Sequence, residues 1–156
     1  MVRVKYILRY FASYYPYKSE LSKARITKMV YLADWYSAKK YGKQLTKINW
    51  YFDHYGPFVS DVYEEALKDK ELIVKKELTA FGSPKETIYL KTNSVDDLKL
   101  NRISEKEVKI LNEVIEDTKM FNWSEFIDYV YNTEPIKNYK RYNYLDLERI
   151  ASKLEH

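Results

Sequence analysis

With 156 residues, 32% of them charged, and a net charge of +4, the chain is sized for one domain. It contains no cysteine, which excludes disulfide scaffolds, cysteine-ligated zinc and cysteine nucleophiles and fits a reducing compartment. So small a basic excess permits nucleic-acid contact without arguing for it, and no stretch approaches the ~20 apolar residues of a membrane span.

The opening Met1-Val2-Arg3-Val4-Lys5 leads into a mixed stretch containing Arg9 and lacks the apolar core and cleavage site of a signal peptide. A cytoplasmic protein without membrane association is therefore expected. Val4, Ile7, Leu8 and Phe11 fall at helical spacing and predict a first helix over 3–14, ended by Pro16. Residues 21–41 predict a central helix. Ile26, Met29, Val30, Ala33 and Tyr36 form one apolar face, and Leu32 and Trp35 widen it, so several neighbours must bury this helix. Ser19 or Ser22 is placed to cap its start, and Gly42 to follow its last turn behind Lys39 and Lys40.

Residues 48–54 predict a short strand, with Ile48, Trp50 and Phe52 on one face and Asn49, Tyr51 and Asp53 on the other. Tyr55-Gly56-Pro57 then reads as a pivot into a helix over about 57–68, with Pro57 at its first position. A β-hairpin is expected over 72–80 and 86–91 around the turn residues Gly82-Ser83-Pro84, followed by a polar connector over 92–103. Ser104 with Glu107, and Asn122 with Glu125, are capping boxes before two further helices, the second stopped by Pro135. A Tyr-rich segment, Tyr139 to Tyr144, leads to a last helix on Leu145, Leu147 and Ile150.

The sum is an α+β, mainly helical fold: five to six helices around a central buried helix, with a small antiparallel sheet or hairpin. One domain is expected over residues 1–153, with Leu154-Glu155-His156 read as the stub of a purification tag.

Several segments together resemble one family. Ile26-Thr27-Lys28-Met29-Val30-Tyr31-Leu32-Ala33-Asp34-Trp35-Tyr36 resembles the helix of the Panacea (SocA-like antitoxin) domain, whose pattern places a lysine and two hydrophobic residues before Tyr-Leu-Ala-Asp. Tyr41-Gly42-Lys43-Gln44-Leu45 and Tyr55-Gly56-Pro57-Phe58-Val59 are similar to two further motifs of that family, in the same order. The likeness extends over about residues 3–150. One departure stands out: the family often carries a histidine just after this motif, where this chain has Trp35-Tyr36-Ser37-Ala38. The resemblance implies an antitoxin that binds and neutralises a cognate toxin protein, likewise encoded by a neighbouring gene. Its SocA-like branch implies a second mode, delivery of the bound toxin to a AAA+ protease. The alternative reading is a winged-helix-like DNA-binding regulator.

Candidate partner contacts are Tyr31, Asp34 and Trp35 on the central helix, Tyr55 at the pivot, and Tyr139, Arg141 and Tyr142 in the Tyr-rich segment. Gly42, Gly56 and Pro57 are read as structural. Asp34 interrupts an apolar helix. It either meets a partner's cation or holds Tyr55 or a backbone amide at the pivot, and the structural role is preferred because a buried carboxylate needs partners. Seventeen tyrosines reflect either compositional bias or an interface, since tyrosine joins an apolar body to a polar tip. Tyr139, Tyr142 and Tyr144, interleaved with Lys137, Lys140 and Arg141, have the composition of an interface or of a cover over the core.

The competing chemistry is weaker. Asp53 and His54 point to opposite faces of a strand and form no catalytic pair. Asp61, Glu64, Glu65 and Asp69 read as a solvated helix face, and Lys75, Lys76 and Lys85 on the hairpin are diluted by Glu71, Glu77 and Glu86. No phosphate loop, nucleophile elbow or zinc-spaced histidine set is present, so neither catalysis nor a cofactor or metal is expected.

Overall fold

The computed structural model describes residues 2–92 and 94–154. Among them, α1 (Val4–Tyr14), α2 (Lys23–Tyr41), α3 (Asp61–Lys68), α5 (Glu105–Thr118) and α6 (Trp123–Tyr131) are the longer helices, and α4 (Val95–Leu98), α7 (Glu134–Lys137) and α8 (Leu147–Ser152) are short. Two antiparallel pairs complete the α+β fold: β1 (Tyr51–Asp53) with β2 (Gly56–Phe58), and β3 (Leu72–Leu78) with β4 (Pro84–Leu90). Glu155 and His156 of the expected tag stub lie outside the described residues.

Helix α2 is the axis of the core. Every residue from Arg25 to Ala38 is buried, because α1, α3, α5, α8 and both strand pairs contact it. The Ser22 side chain accepts from the Arg25 amide at its start, which selects Ser22 over Ser19 as the cap. At its end Gly42 takes the left-handed conformation (φ +77°), and its N–H closes on the Ala38 carbonyl at 3.0 Å. Both capping boxes form as expected, at Ser104 and Asn122.

Three expectations need correction. Pro57 does not open a helix: it pairs across from Phe52 in β2, and α3 begins only at Asp61. Pro135 does not end α6, which stops at Tyr131 ahead of the extended Thr133; the proline sits in the first turn of α7, where its missing N–H is harmless. Asp69 is not on a solvated face. It lies just past α3, buried, and takes a bidentate grip from Arg9 of α1 at 3.0 Å on each oxygen, while Arg9 also donates to the Leu98 carbonyl at 2.9 Å. This pair ties α1 to the α3–β3 turn and to α4.

Candidate protein-binding surface

The site begins inside the molecule, at Asp34. Its carboxylate is fully buried on α2 and faces the extended chain that follows Gly42. It accepts from the Thr46 amide at 2.9 Å, the Thr46 hydroxyl at 2.5 Å, the Trp50 indole N–H at 2.8 Å and the Gln44 side-chain amide at 3.3 Å. Burial raises its pKa from 3.8 to about 6 against the lowering effect of these bonds. Trp50 is packed edge-on against Tyr31, with ring centres 5.6 Å apart, and the Tyr31 hydroxyl meets Thr133 at 2.8 Å. Residues 44–50 are thus fixed on α2, and they carry β1.

Strand β1 is flanked on both sides. Pro57 and its neighbours in β2 lie along one edge. Along the other runs the Tyr-rich segment: Tyr142 N–H donates to the Phe52 carbonyl at 2.5 Å, Phe52 N–H to Asn143 at 2.9 Å, and Leu145 N–H to Trp50 at 2.8 Å. Gly56 completes the β1–β2 turn at φ +100°, and the Tyr131 ring covers its α carbon so closely that a β carbon there would lie 2.8 Å from Cε1. Only glycine meets both conditions.

This frame presents an aromatic surface. Tyr55 is 76% exposed, Tyr142 59% and Tyr144 74%. The His54 ring stands edge-on to Tyr55 with centres 4.6 Å apart, and its Nδ1 is 3.3 Å from the Tyr142 hydroxyl. Tyr51 packs against Tyr144 at 5.1 Å. Arg141 donates from Nε to the His54 carbonyl at 3.2 Å and lies over the Phe52 ring. Tyr142 holds a left-handed backbone (φ +66°), a conformation costly for a bulky side chain and enriched at functional positions.

The expected contacts therefore separate. Tyr55, Arg141 and Tyr142 come together, although more than eighty residues divide them in sequence. Tyr139 is exposed nearby in the chain, with no described contact to the other rings. Tyr31, Asp34 and Trp35 are buried to 2% or less, so in the folded chain they are framework and not surface. Asp34 serves the preferred structural role with different partners from those expected: Tyr55 is far out in solvent, and the amide it holds is that of Thr46. Tyr51 and His54 were not among the candidates. The strand alternation that puts Tyr51 opposite Trp50 and Phe52 is the signal that pointed to its outward face.

The hairpin offers a poorer case for nucleic acid. Lys75 lies over the Tyr89 ring, Lys85 donates to the Ser19 carbonyl at 2.7 Å, and Glu77 and Glu86 accept from Tyr89 and Tyr63. Among the described residues, no group of three His, Asp or Glu side chains is placed to hold a metal ion, and no helix is long and apolar enough to cross a membrane.

The fold is small, mainly helical and α+β, and it holds an exposed tyrosine surface beside a buried carboxylate hub. The antitoxin SocA-like, Panacea domain family matches residues 26–137, more than two thirds of the chain, and the chain belongs to that family. The match takes in α2 from Ile26 onward, the Asp34 hub and the β1–β2 turn, and it ends before Tyr139. No curated protein and no solved structure matches the chain significantly.

Proposed function

We propose that this chain is a cytoplasmic antitoxin that binds a cognate toxin, encoded by an adjacent gene, and neutralises it by covering the toxin's active surface. The observation that carries this reading is the exposed cluster of Tyr55, Arg141, Tyr142 and Tyr144 with His54, in a member of an antitoxin-like family. Tyrosine and arginine are the residues that most often dominate protein interfaces. Tyrosine offers a large contact area for few rotatable bonds, and the backbone beneath is already fixed by Asp34, so little ordering remains to oppose association. No chemistry by this chain is needed. Delivery of the bound toxin to a AAA+ protease is compatible with the same surface, since a bound toxin stays attached while it is handed over.

The test is co-expression. The neighbouring open reading frame is induced in bacteria with this chain, with its Tyr55→Ala/Tyr142→Ala variant, or alone. Growth arrest by the neighbour alone, rescue by the wild type and loss of rescue by the variant is the expected result. A loss of the toxin protein itself during rescue, prevented by deleting a AAA+ protease, distinguishes delivery from direct inhibition. A toxic neighbour that is neither bound nor rescued would leave the family's fold without this role, and salt-sensitive binding to duplex DNA would then be the reading to pursue.

A further inference from the structure

The tyrosine surface carries charge as well as aromatic rings. Every residue from Lys137 to Tyr144 is exposed, and the segment holds Lys137, Lys140 and Arg141 but no carboxylate. Neither ion pair found among the described residues, Arg9–Asp69 and Lys119–Glu116, engages these cations. Carboxylates beside the segment in sequence, or on the frame it pairs with, are bound elsewhere. Glu134 accepts from the Asn138 side chain, Asp146 from the Arg149 amide, Glu148 from the Gln44 amide and Asp53 from the His54 amide.

Arg141 is the fixed member of the set. Its Nε donates to the His54 carbonyl at 3.2 Å, and its guanidinium lies 5.4 Å from the centre of the Phe52 ring. Its two Nη groups make no hydrogen bond among the described residues, so a planar fork of donors is held in place beside Tyr142 and left open. The Asn143 side chain donates to the Lys140 and Arg141 carbonyls and folds 140–143 into a turn along β1, which brings Lys140 to the same border.

We propose that the toxin face covered by this surface is acidic, with one of its carboxylates gripped by the Arg141 fork. This inference rests on the antitoxin reading above and names the chemistry of its partner. A guanidinium desolvated at an interface needs a counter-charge, because a buried charge left unpaired is strongly opposed. Nucleic acid fits the same cations less well. A phosphate track needs cations spaced along its path, and here they lie on one segment while β1 brings Asp53. Tyr51 with Tyr144, and Tyr55 with His54, stand edge-on to each other and do not open a series of parallel faces for bases. One consequence is specific. A toxin that grips RNA or DNA phosphates does so with a basic face, and like charges brought together oppose docking. The toxin neutralised by covering is therefore one whose covered face does not bind phosphates.

The experiment uses the purified product of the neighbouring gene and the full chain, with binding followed by surface plasmon resonance. Lys137→Glu/Lys140→Glu changes charge without removing a described side-chain contact, and at unchanged melting temperature it is expected to weaken binding about tenfold or more. Arg141→Lys keeps the charge but loses the fork, and Arg141→Glu loses both, so the second weakens binding further. Association slows as sodium chloride rises from about 50 to about 500 mM. Replacing a toxin carboxylate inside the footprint by lysine restores binding to Arg141→Glu. A complex that forms with wild type but is unchanged or tightened by Lys137→Glu/Lys140→Glu, or whose association is indifferent to salt, overturns the inference and leaves the antitoxin reading standing. Displacement of the toxin by a thymidine oligonucleotide at lower concentration than the toxin itself needs would assign the cations to nucleic acid and overturn it as well. No complex with wild type at all removes the antitoxin reading, and this inference with it.

Discussion

Replacing Asp34 by alanine isolates the hub on which the tyrosine surface rests. The substitution removes the acceptor of four donors, but these are not equivalent. The Thr46 hydroxyl can rotate, and the Gln44 amide also reaches the Thr46 and Ile48 carbonyls at 3.3 and 3.0 Å. The Thr46 amide and the Trp50 indole N–H are fixed, and each buried orphan costs about 1–3 kcal/mol. Against this stands the unfavourable burial of the ionised carboxylate. Its pKa of about 6 in the folded chain, against the ordinary 3.8, corresponds to about 3 kcal/mol at neutral pH. The net loss at pH 7 is therefore modest, about 1 kcal/mol. The sign of the pH dependence is more telling. A carboxyl whose folded pKa is raised contributes stability that is fully present below 3.8 and is lost as pH rises through about 6. Asp34→Ala lacks this contribution, so the gap between wild type and variant widens as pH falls, by about 2 kcal/mol between pH 7 and 4. Urea unfolding of both proteins, followed by tryptophan emission across that range, measures the gap while contributions from other groups cancel. A gap that stays constant or narrows on acidification would refute the burial argument.

Lys28 carries the opposite sign. It is 5% exposed, without a hydrogen bond or ion pair among the described residues, and burial lowers its pKa from 10.5 to about 8. Its contribution is present above 10.5 and lost as pH falls through about 8, so Lys28→Met raises stability at pH 7 by about 3 kcal/mol, and the gain shrinks by pH 10. Gly56→Ala lowers stability by about 2 kcal/mol or more in thermal unfolding, and Tyr131→Ala in the same chain recovers part of the loss by relieving the clash. Asp69→Ala leaves the Arg9 guanidinium buried and unpaired and costs about 3–5 kcal/mol by urea titration. Tyr142→Gly relaxes the left-handed backbone, so stability holds or rises by about 1 kcal/mol while, on the proposed function, toxin binding falls at least about tenfold in a pull-down titration; loss of both together would mean that the ring is structural.

Much of the frame was legible because it is written in local patterns. Helical spacing placed α1, α2, α5 and α6, and the capping boxes at Ser104 and Asn122 fixed two starts to the residue. The two-residue period of Ile48, Trp50 and Phe52 gave the buried face of the chain through β1. Pro57 misled because a proline after glycine satisfies a helix start and an edge strand equally well. Only the pairing with Phe52 decides between them, and that pairing is tertiary. Arg9 and Asp69 were illegible as a pair for the same reason: sixty residues separate them, and each alone reads as a surface charge.

The site was half legible, and the boundary is physical. Tyrosine content announced a surface but not its geography. The assembly of Tyr55 with Arg141 and Tyr142 depends on hydrogen bonds from 142–145 to β1, which no periodicity encodes. Asp34 joins the two scales. A carboxylate in an apolar helix demands donors, and the chain supplies them within sixteen residues, from Thr46 and Trp50. The demand is readable in the sequence, and its consequence is a rigid β1. The family match covers this hub and stops at residue 137, while Arg141, Tyr142 and Tyr144 lie beyond it. On the proposed reading, framework and recognition are thus divided along the chain: the matched segment holds β1 still, and the segment after it supplies most of the side chains that a partner meets. Exchanging residues 139–144 for those of another family member is then expected to change the toxin recognised while leaving the Asp34 network and its pH signature in place.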